Sequence, residues 1–412
     1  MKKRVVITGY GTINSVGNNV EETWEKLIAG ESGIELIKAF DTTDYSSKIG
    51  AEIKDFDITK YFTKKRVKRM DRYAVLSLVA AKEAYEHSGL DKDNFDSSRA
   101  GIISGSGIGG IHTLEEEHSK LIKKGPRRVS PFFIPKMISN IAPAEISIEY
   151  KLKGPNYNVV SACAAANHAI GSAFRTIQYG DADIMFTGGG ESAVTPLSLA
   201  GFCNMKALST RNDDPKKASR PFDKERDGFI IGEGAGMLVL EELEHAKSRG
   251  ANIIAEIVGF GSSADAFHIT APAANGEGGK RAMKAALKDA GIKPEQIDYI
   301  NAHGTSTPLN DKNETQAIKD VFGTHAKNLH INSTKSMVGH TLGAAAAIEA
   351  IVCCKSIQTG ILHPSINIEI PDPDCDLNYV PHKFKKKEIN YALSNALGFG
   401  GQNGVLILKR YQ

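Results

Sequence analysis

Short apolar runs that end in glycine recur along the 412-residue chain and predict buried strands. One example is the run Val-Val-Ile-Thr-Gly at residues 5–9. Such runs are typical of strands covered on both faces, as in an α/β sheet. Helical patterns lie between the runs. Residues 71–88 place apolar side chains on one face with Gly89 as a stop signal, and residues 280–290 repeat this before Gly291.

The two halves of the chain repeat the same series of segments. Four pairs match in the same order: residues 5–11 with 255–261, 101–107 with 299–305, the turn and helix after residue 159 with 332–350, and 184–190 with 391–398. The shared order predicts an internal duplication, with one half at residues 1–250 and the other at 251–412. In this alignment the Gly339-His340 turn is the counterpart of the turn that carries Cys163.

Composition and charge are those of an ordinary globular protein. The net charge of +3 gives no reason to expect a nucleic-acid partner. No apolar run reaches about 18 residues, so no membrane span is expected, and the basic N-terminus has too short an apolar stretch for a signal peptide. Five cysteines without a Cys-x-x-Cys pair indicate a reducing, cytoplasmic setting. The polar residues 205–228 predict a long surface excursion.

Cys163 carries the most chemical information in the chain. It lies in the segment Val-Val-Ser-Ala-Cys-Ala-Ala-Ala at residues 159–166, which predicts a strand, a short turn and a buried helix. The N–H groups and dipole at a helix N-terminus favour thiolate over thiol. A free cysteine is more often a buried structural residue, but the position at a strand-to-helix turn favours a nucleophile.

Two histidines lie far downstream in glycine-rich settings, His303 in Asn-Ala-His-Gly-Thr and His340 in Val-Gly-His-Thr. Each is alone in its segment, whereas zinc ligands often come in close pairs, so we expect no metal. Lys335 precedes His340, and Glu349 falls within an apolar helix, where a carboxylate needs a partner. One cysteine with two distant histidines indicates acyl-thioester chemistry.

Two glycine-rich segments raise the question of a nucleotide site. Residues 105–110 follow a predicted strand but lack the spacing of a dinucleotide-binding loop and its acidic ribose partner. Residues 276–281 lack the spacing of a P-loop. Neither segment therefore predicts a nucleotide cofactor.

Basic residues are dense at positions 63–69, and Arg127 and Arg128 add a second short cluster. Such a run is most often only a solvated face. The alternative is a docking site for an acidic partner. The modest net charge suits a local patch better than a surface for nucleic acid.

Together these segments resemble the β-ketoacyl-acyl-carrier-protein synthases of the elongating class, in the thiolase superfamily, over essentially the whole chain. The motifs that carry the resemblance are Ser161-Ala162-Cys163, Asn-Ala-His-Gly-Thr-Ser-Thr at 301–307, Lys-Ser-Met-Val-Gly-His at 335–340 and Gly-Phe-Gly-Gly at 398–401. The resemblance implies a thiolase-like, five-layered α-β-α-β-α fold built from two duplicated halves, usually a homodimer. It also implies condensation of an acyl chain on acyl carrier protein with malonyl carrier protein, with loss of CO2.

The resemblance also assigns roles. Cys163 would be the acylated nucleophile, and the backbone N–H groups of Cys163 and Phe399 would form the oxyanion hole. Because loss of CO2 creates an enolate directly, His303 and His340 would donate hydrogen bonds to the thioester oxygen, with Lys335 orienting them. The enzyme would need no cofactor of its own, since the phosphopantetheine belongs to the carrier protein. Glu349 would support Lys335. The acyl channel would be lined by Ile108 and Phe202 and gated by Phe399, with Phe133 and Ile134 reaching it across the dimer. Thr305 and Thr307 would bind the pantetheine arm, and the carrier protein would dock on Lys64, Lys65, Lys68, Arg69, Arg127, Arg128 and Lys206.

Other functions stay open. A polyketide ketosynthase shares every motif. An initiating synthase would carry Asn in place of His340, a non-decarboxylating thiolase would carry a second Cys in the loop of Phe399, and a non-catalytic chain-length partner would lack the nucleophile. Gln402 in place of a common Thr, and the run Ala164-Ala165-Ala166, leave the chain-length preference open.

Overall fold

The structure is a computed structural model that describes residues 2–91 and 94–412. Its strands are β1 (Val5–Asn14), β2 (Glu35–Leu36), β3 (Ile49–Gly50), β4 (Ala100–Gly105), β5 (Asn156–Val159), β6 (Ile184–Ser192), β7 (Glu233–Glu242), β8 (Ala255–Ala264), β9 (Tyr299–Asn301), β10 (His330–Asn332), β11 (Ile361–Leu362), β12 (Lys385–Lys386), β13 (Tyr391–Gly398) and β14 (Gln402–Lys409). Its α-helices are α1 (Val20–Ala29), α2 (Lys64–Val67), α3 (Arg72–Ser88), α4 (Ile111–Lys124), α5 (Phe133–Met137), α6 (Ile141–Tyr150), α7 (Ala165–Gln178), α8 (Pro196–Asn204), α9 (Leu243–Ser248), α10 (Glu277–Ala290), α11 (Pro308–Phe322), α12 (Lys335–Val338) and α13 (Ala345–Thr359).

The main sheet has the strand order β10-β9-β13-β14-β8-β1-β7-β6-β4-β5. The sheet is symmetric about its centre, with five strands from each half of the chain. From the centre outwards, the equivalent pairs are β8 and β1, β14 and β7, β13 and β6, β9 and β4, and β10 and β5. The two sets of strands join where residues 5–7 pair antiparallel with residues 255–257. The segments matched in the sequence occupy equivalent strands. The exact boundary at residue 250 stays a prediction.

Helices cover and separate the strands. On one outer side α3 packs against β1, β6 and β7, and on the other α10 packs against β8 and β14. Between the two sets of strands, α7 and α13 pack against each other. Buried apolar clusters fill each outer side and the central layer. The predicted five-layered α-β-α-β-α fold is confirmed.

Two predicted helices have the expected ends. The pattern over residues 71–88 is α3, whose N-cap Asp71 accepts a hydrogen bond from the Tyr73 N–H. Gly89 ends α3 with a left-handed backbone at φ +65°. The pattern over residues 280–290 lies within α10, which ends at Gly291. Local signals were therefore sufficient for these helix ends.

The predicted surface excursion at residues 205–228 is wrong for its second part. Arg220 and Phe222 are 1% exposed and Asp223 is fully buried. The Asp223 carboxylate accepts hydrogen bonds from the backbone N–H groups of residues 369 and 370. Polar residues are buried here because a distant segment supplies their hydrogen-bond partners.

One helical stretch bears on the prediction that no segment of the chain spans a membrane. Among the described residues, one helical stretch, Leu342–Thr359, is long and apolar enough to cross a membrane. This stretch contains α13, and most of it is buried within the fold. Its apolar character follows from its place in the central layer, where strands of both halves pack against it.

Candidate active site

Cys163 lies in a short 3-10 turn, Ala162–Ala164, between β5 and α7. Ala162 takes a left-handed backbone at φ +49°, which is uncommon for a residue with a side chain and costs conformational energy. The helix follows at Ala165. The thiol therefore lies at the strand-to-helix turn that the sequence predicts.

A cavity of about 530 Å³ opens over Cys163. Both halves of the chain contribute to its walls. The predicted site residues that line it are Ile108, Cys163, Phe202, Lys206, His303, Thr305, Thr307, His340 and Phe399. Two predicted channel residues do not line it: Phe133 and Ile134 lie on α5, with Ile134 54% exposed.

His340 faces the thiol directly. Its Nε2 lies 3.1 Å from the Cys163 Sγ, and the backbone N–H of Leu342 donates to its Nδ1 at 3.2 Å. A neutral imidazole that accepts at Nδ1 carries its proton on Nε2. His340 therefore presents an N–H donor, rather than a base, to the thiol and the cavity.

His303 has the same protonation for a different reason. The Lys335 Nζ lies 3.4 Å from the His303 Nδ1 and 2.5 Å from the Glu349 Oε1. An ammonium group only donates, so Nδ1 accepts and the ring proton is on Nε2. Burial, together with the positive charge of Lys335, holds the pKa of both His303 and His340 well below the usual range. Both rings are therefore neutral donors.

The thiol itself is neutral in the resting site. Burial raises the pKa of Cys163 to about 11, although the charge of Lys335 and the backbone N–H groups of Phe399 and Cys163 lower it. The prediction that the helix end favours a resting thiolate is therefore wrong, because desolvation outweighs it. The two N–H groups that face the sulfur are nevertheless the pair predicted as the oxyanion hole.

The thiol and the two rings also form a potential ligand set. The Cys163 sulfur and one nitrogen from each of His303 and His340 lie within 4.8 Å of one another. The sequence argument against a metal, that each histidine is alone in its segment, therefore does not hold in the folded chain. The adjacent ammonium of Lys335 and the inward ring N–H groups oppose a cation instead.

Glu191 is absent from the sequence-based predictions. It is fully buried at the end of β6, and its carboxylate accepts hydrogen bonds from the backbone N–H groups of Gly107, Ile108 and Gly343. Burial raises its pKa to about 6, while these N–H groups lower it. The loop at residues 105–110 thus binds an anion that the chain itself supplies. The sequence signal for this residue was a single carboxylate at the end of an apolar, glycine-rich strand, where burial requires hydrogen-bond partners.

The folded chain also corrects the alignment of the two halves. Leu342 has φ +48°, a 3-10 turn runs over Leu342–Ala344, and α13 follows. These features match Ala162 and the turn before α7 one by one. The counterpart of Cys163 is therefore Gly343, rather than the Gly339-His340 turn.

The predicted docking residues are all exposed or half-buried. Within the described ranges, no ion pair involves any of them. Arg66, in the same basic run, differs because it pairs with Glu145 and Glu149. The set consists of Lys64, Lys65, Lys68, Arg69, Arg127, Arg128 and Lys206, of which Lys206 also lines the cavity.

Family models match most of the chain. The β-ketoacyl synthase N-terminal domain matches residues 2–246, and the β-ketoacyl synthase C-terminal domain matches residues 254–369. The chain belongs to the β-ketoacyl synthase family. Two relatives named 3-oxoacyl-[acyl-carrier-protein] synthase 2 are similar over the full length. That of Staphylococcus aureus (strain N315) is 52% identical and that of Synechocystis sp. 50%, each covering 100% of this chain and 99% of the relative.

Solved structures of β-ketoacyl synthases have the same fold. The ishigamide ketosynthase/chain length factor has a TM-score of 0.94 at 37% identity, and a β-ketoacyl synthase from Burkholderia phymatum has 0.93 at 36%. A type II polyketide ketosynthase, solved in complex with its acyl-carrier protein and bound to a hexaketide, has 0.92 at 35%. Each comparison covers 100% of both chains.

Proposed function

We propose that this β-ketoacyl synthase condenses acyl-acyl carrier protein with malonyl-acyl carrier protein in fatty-acid elongation, giving β-ketoacyl-acyl carrier protein, CO2 and free carrier protein. The observation that carries the proposal is the convergence of the Cys163 thiol with the N–H donors of His303 and His340 in one cavity. Relatives named for this activity are 50–52% identical to the chain. The solved type II polyketide ketosynthase is 35% identical, which favours fatty-acid elongation.

The first step is acyl transfer to Cys163. Its sulfur attacks the thioester carbonyl, and the carbonyl oxygen takes up negative charge facing the N–H groups of Cys163 and Phe399. One such donor is typically worth roughly 3–4 kcal/mol. The carbonyl reforms as the pantetheine sulfur leaves, and the proton of the neutral Cys163 thiol ends on that sulfur. The proton balance therefore needs no permanent base in the cavity.

The second step uses the histidine pair. Loss of CO2 from malonyl carrier protein leaves its electron pair in an enolate, whose oxygen accepts hydrogen bonds from His303 and His340. The enolate carbon attacks the acyl carbonyl on Cys163, and the carbon–sulfur bond breaks with its electron pair on the Cys163 sulfur. The thiolate then takes up a proton from solvent, which restores the neutral thiol of the resting site. Lys335 holds the His303 proton on the cavity side, and Glu349 neutralises Lys335.

The remaining predicted positions fit the two substrates. Ile108 and Phe202 give the cavity apolar walls for an acyl chain, with Phe399 as the gate. Thr305 and Thr307 line the cavity with their hydroxyl oxygens 2.9 Å apart, where they would hold the pantetheine arm. The cations of the predicted docking set suit an acidic carrier protein.

We infer that the chain forms a homodimer in the cytoplasm. In the described part of the chain β5 is the last strand of the sheet, paired with β4 alone. Tyr157 and Val160, in and after this strand, are 45% and 59% exposed. An exposed edge strand is a template for pairing with another chain, and a second copy would cover it together with these two apolar side chains. In such a dimer Phe133 and Ile134 are the residues that would reach the partner's channel.

Cys163→Gln tests the division of labour in the site. We expect it to abolish condensation, because no acyl-enzyme forms, and to keep decarboxylation of malonyl carrier protein, because both histidines remain. Product mass and CO2 release measure the two steps. Cys203→Ser, at a half-buried cysteine outside the cavity, is the matched control and should keep both activities. Loss of decarboxylation in Cys163→Gln would contradict the separate roles.

A further inference from the structure

The two N–H groups of the oxyanion hole come from separate segments. Cys163 lies in the turn after β5, and Phe399 lies in the loop between β13 and β14. His168 contacts the residue before that turn and the strand after that loop: its Nδ1 lies 2.7 Å from the Ser161 Oγ, and its Nε2 lies 3.2 Å from the carbonyl oxygen of Asn403 in β14. We propose that His168 is a positioning residue that sets the distance between the two oxyanion donors, and thereby the rate of acyl transfer to Cys163.

The hydrogen bonds of His168 determine which nitrogen carries its proton. The carbonyl oxygen of Asn403 only accepts, so the Nε2–H donates to it, and Nδ1 is left to accept from the Ser161 hydroxyl. The Ser262 Oγ lies 3.0 Å from the same Nε2. The ring of Phe260 packs edge-on at 6.1 Å between ring centres. The half-buried ring is therefore held from both ends.

On the nucleophile side, His168 acts through a strained turn. Ser161 directly precedes Ala162, whose left-handed backbone persists only if its neighbours hold it. The Ser161 carbonyl also lies close to the Phe399 loop, because a Cβ built on Gly398 would be 2.8 Å from it. A shift of Ser161 would therefore move the Cys163 N–H relative to Phe399.

On the Phe399 side, the link continues through Asn403. Its side-chain amide donates to the Asp265 Oδ1 at 2.7 Å and to the Gly401 carbonyl at 3.2 Å. The Asp265 N–H donates to the same Gly401 carbonyl at 2.7 Å. The strand position that His168 holds is thus tied to the loop that carries Phe399.

The second half of the chain provides an internal comparison. Because α7 begins at Ala165 and α13 at Ala345, the counterpart of His168 is Ile348. Ile348 is buried and apolar. The bridging histidine therefore occurs only after the Cys163 turn, which is open to the cavity. After the Gly343 turn, whose N–H donates to Glu191, an apolar residue takes its place.

The inference rests on the proposed function and is tested with His168→Phe, His168→Gln and Ser161→Ala. His168→Phe removes the contacts with Ser161, Asn403 and Ser262. We expect acylation of Cys163 to slow by about 10- to 100-fold, since small misplacements in a site have effects of this size. KM for the acyl carrier protein should stay within about twofold, because the docking surface is untouched. The Gln amide offers an acceptor oxygen and an NH2 donor group and should restore most of the rate. Ser161→Ala should slow acylation by about 3- to 10-fold, because it removes only the bond on the nucleophile side.

Acyl-enzyme formation is followed by protein mass, and decarboxylation is measured in a Cys163→Gln background with and without His168→Phe. Unchanged decarboxylation is expected, because His303 and His340 do not depend on the bridge. His325→Phe, at a half-buried histidine that donates to the Ile297 carbonyl and does not line the cavity, is the control. Wild-type acylation in His168→Phe, parallel loss of decarboxylation, or no rescue by Gln would overturn the inference alone. A wild-type chain that forms no acyl-enzyme would overturn the proposed function as well.

Discussion

The Cys163 turn and the Gly343 turn share a backbone and differ in what their N–H groups bind. Each begins with a left-handed residue, Ala162 at φ +49° and Leu342 at φ +48°, and each is a 3-10 turn that leads into a central helix. The Gly343 N–H donates to the carboxylate of Glu191, whereas the Cys163 N–H faces the cavity. The duplicated turn is an anion-binding device in both halves, filled by the chain in one and left for substrate in the other.

Steric fit explains why the filled turn carries no nucleophile. A Cβ built on Gly343 would lie 2.2 Å from the Gly107 nitrogen and 2.8 Å from the Glu191 carboxylate. No side chain fits there without movement of backbone. The two halves therefore contain the same turn, but only the turn of Cys163 can carry a reactive side chain. In the other half, packing against the loop of Gly107 leaves no room for one.

The largest expected effect comes from emptying the filled turn with Glu191→Ala. Several buried N–H groups would lose their partner, so we expect the free energy of unfolding to fall by about 3–5 kcal/mol. Denaturant unfolding at fixed protein concentration measures it. Glu277→Ala, at an exposed carboxylate on α10, should leave the midpoint of denaturant unfolding nearly unchanged, because solvent screens its ion pair with Arg281. A similarly small loss at Glu191 would mean that the carboxylate does not hold this turn together.

The next largest effect concerns the open turn. Because the pKa of Cys163 is about 11, its thiolate fraction should rise about tenfold per pH unit below that value. We expect its alkylation rate by iodoacetamide to rise about 100-fold between pH 7 and pH 9. The Cys163→Ser variant gives the background from the other cysteines. An alkylation rate that levels off near pH 7 would mean that Cys163 is a thiolate at rest, as the helix N-terminus predicts, and would contradict the raised pKa.

The smallest effect is expected from Gly343→Ala. The added methyl group overlaps backbone, and overpacking of this kind should lower the free energy of unfolding by about 2 kcal/mol. Gly201→Ala, in α8, would place its methyl group where no other atom lies within 4 Å, and should be neutral or stabilising by about 0.5–1 kcal/mol. Thermal or denaturant unfolding compares the two variants. Equal changes in unfolding free energy at the two glycines would show that the Gly343 turn has room for a side chain, so steric fit would not distinguish it from the Cys163 turn.

Local sequence patterns were enough to predict several parts of the fold and site. The ends of α3, the strand-to-helix turn at Cys163 and the order of the duplicated strands follow from residues close together in the chain. Hydrophobic periodicity, capping and turn residues act over a few positions, so they can be read without tertiary structure. The motifs around His303 and His340 likewise indicated which residues would meet.

The tertiary structure alone decided how those residues behave. It placed Glu191 in the glycine loop, put the proton of each histidine on Nε2 through Leu342 and Lys335, and buried Cys163 deeply enough to keep its thiol neutral. These properties depend on desolvation and on hydrogen-bond partners from distant parts of the chain. The amino-acid sequence thus determined which chemical groups the site contains and the fold that brings them together, and three-dimensional packing decided their protonation and their freedom to react.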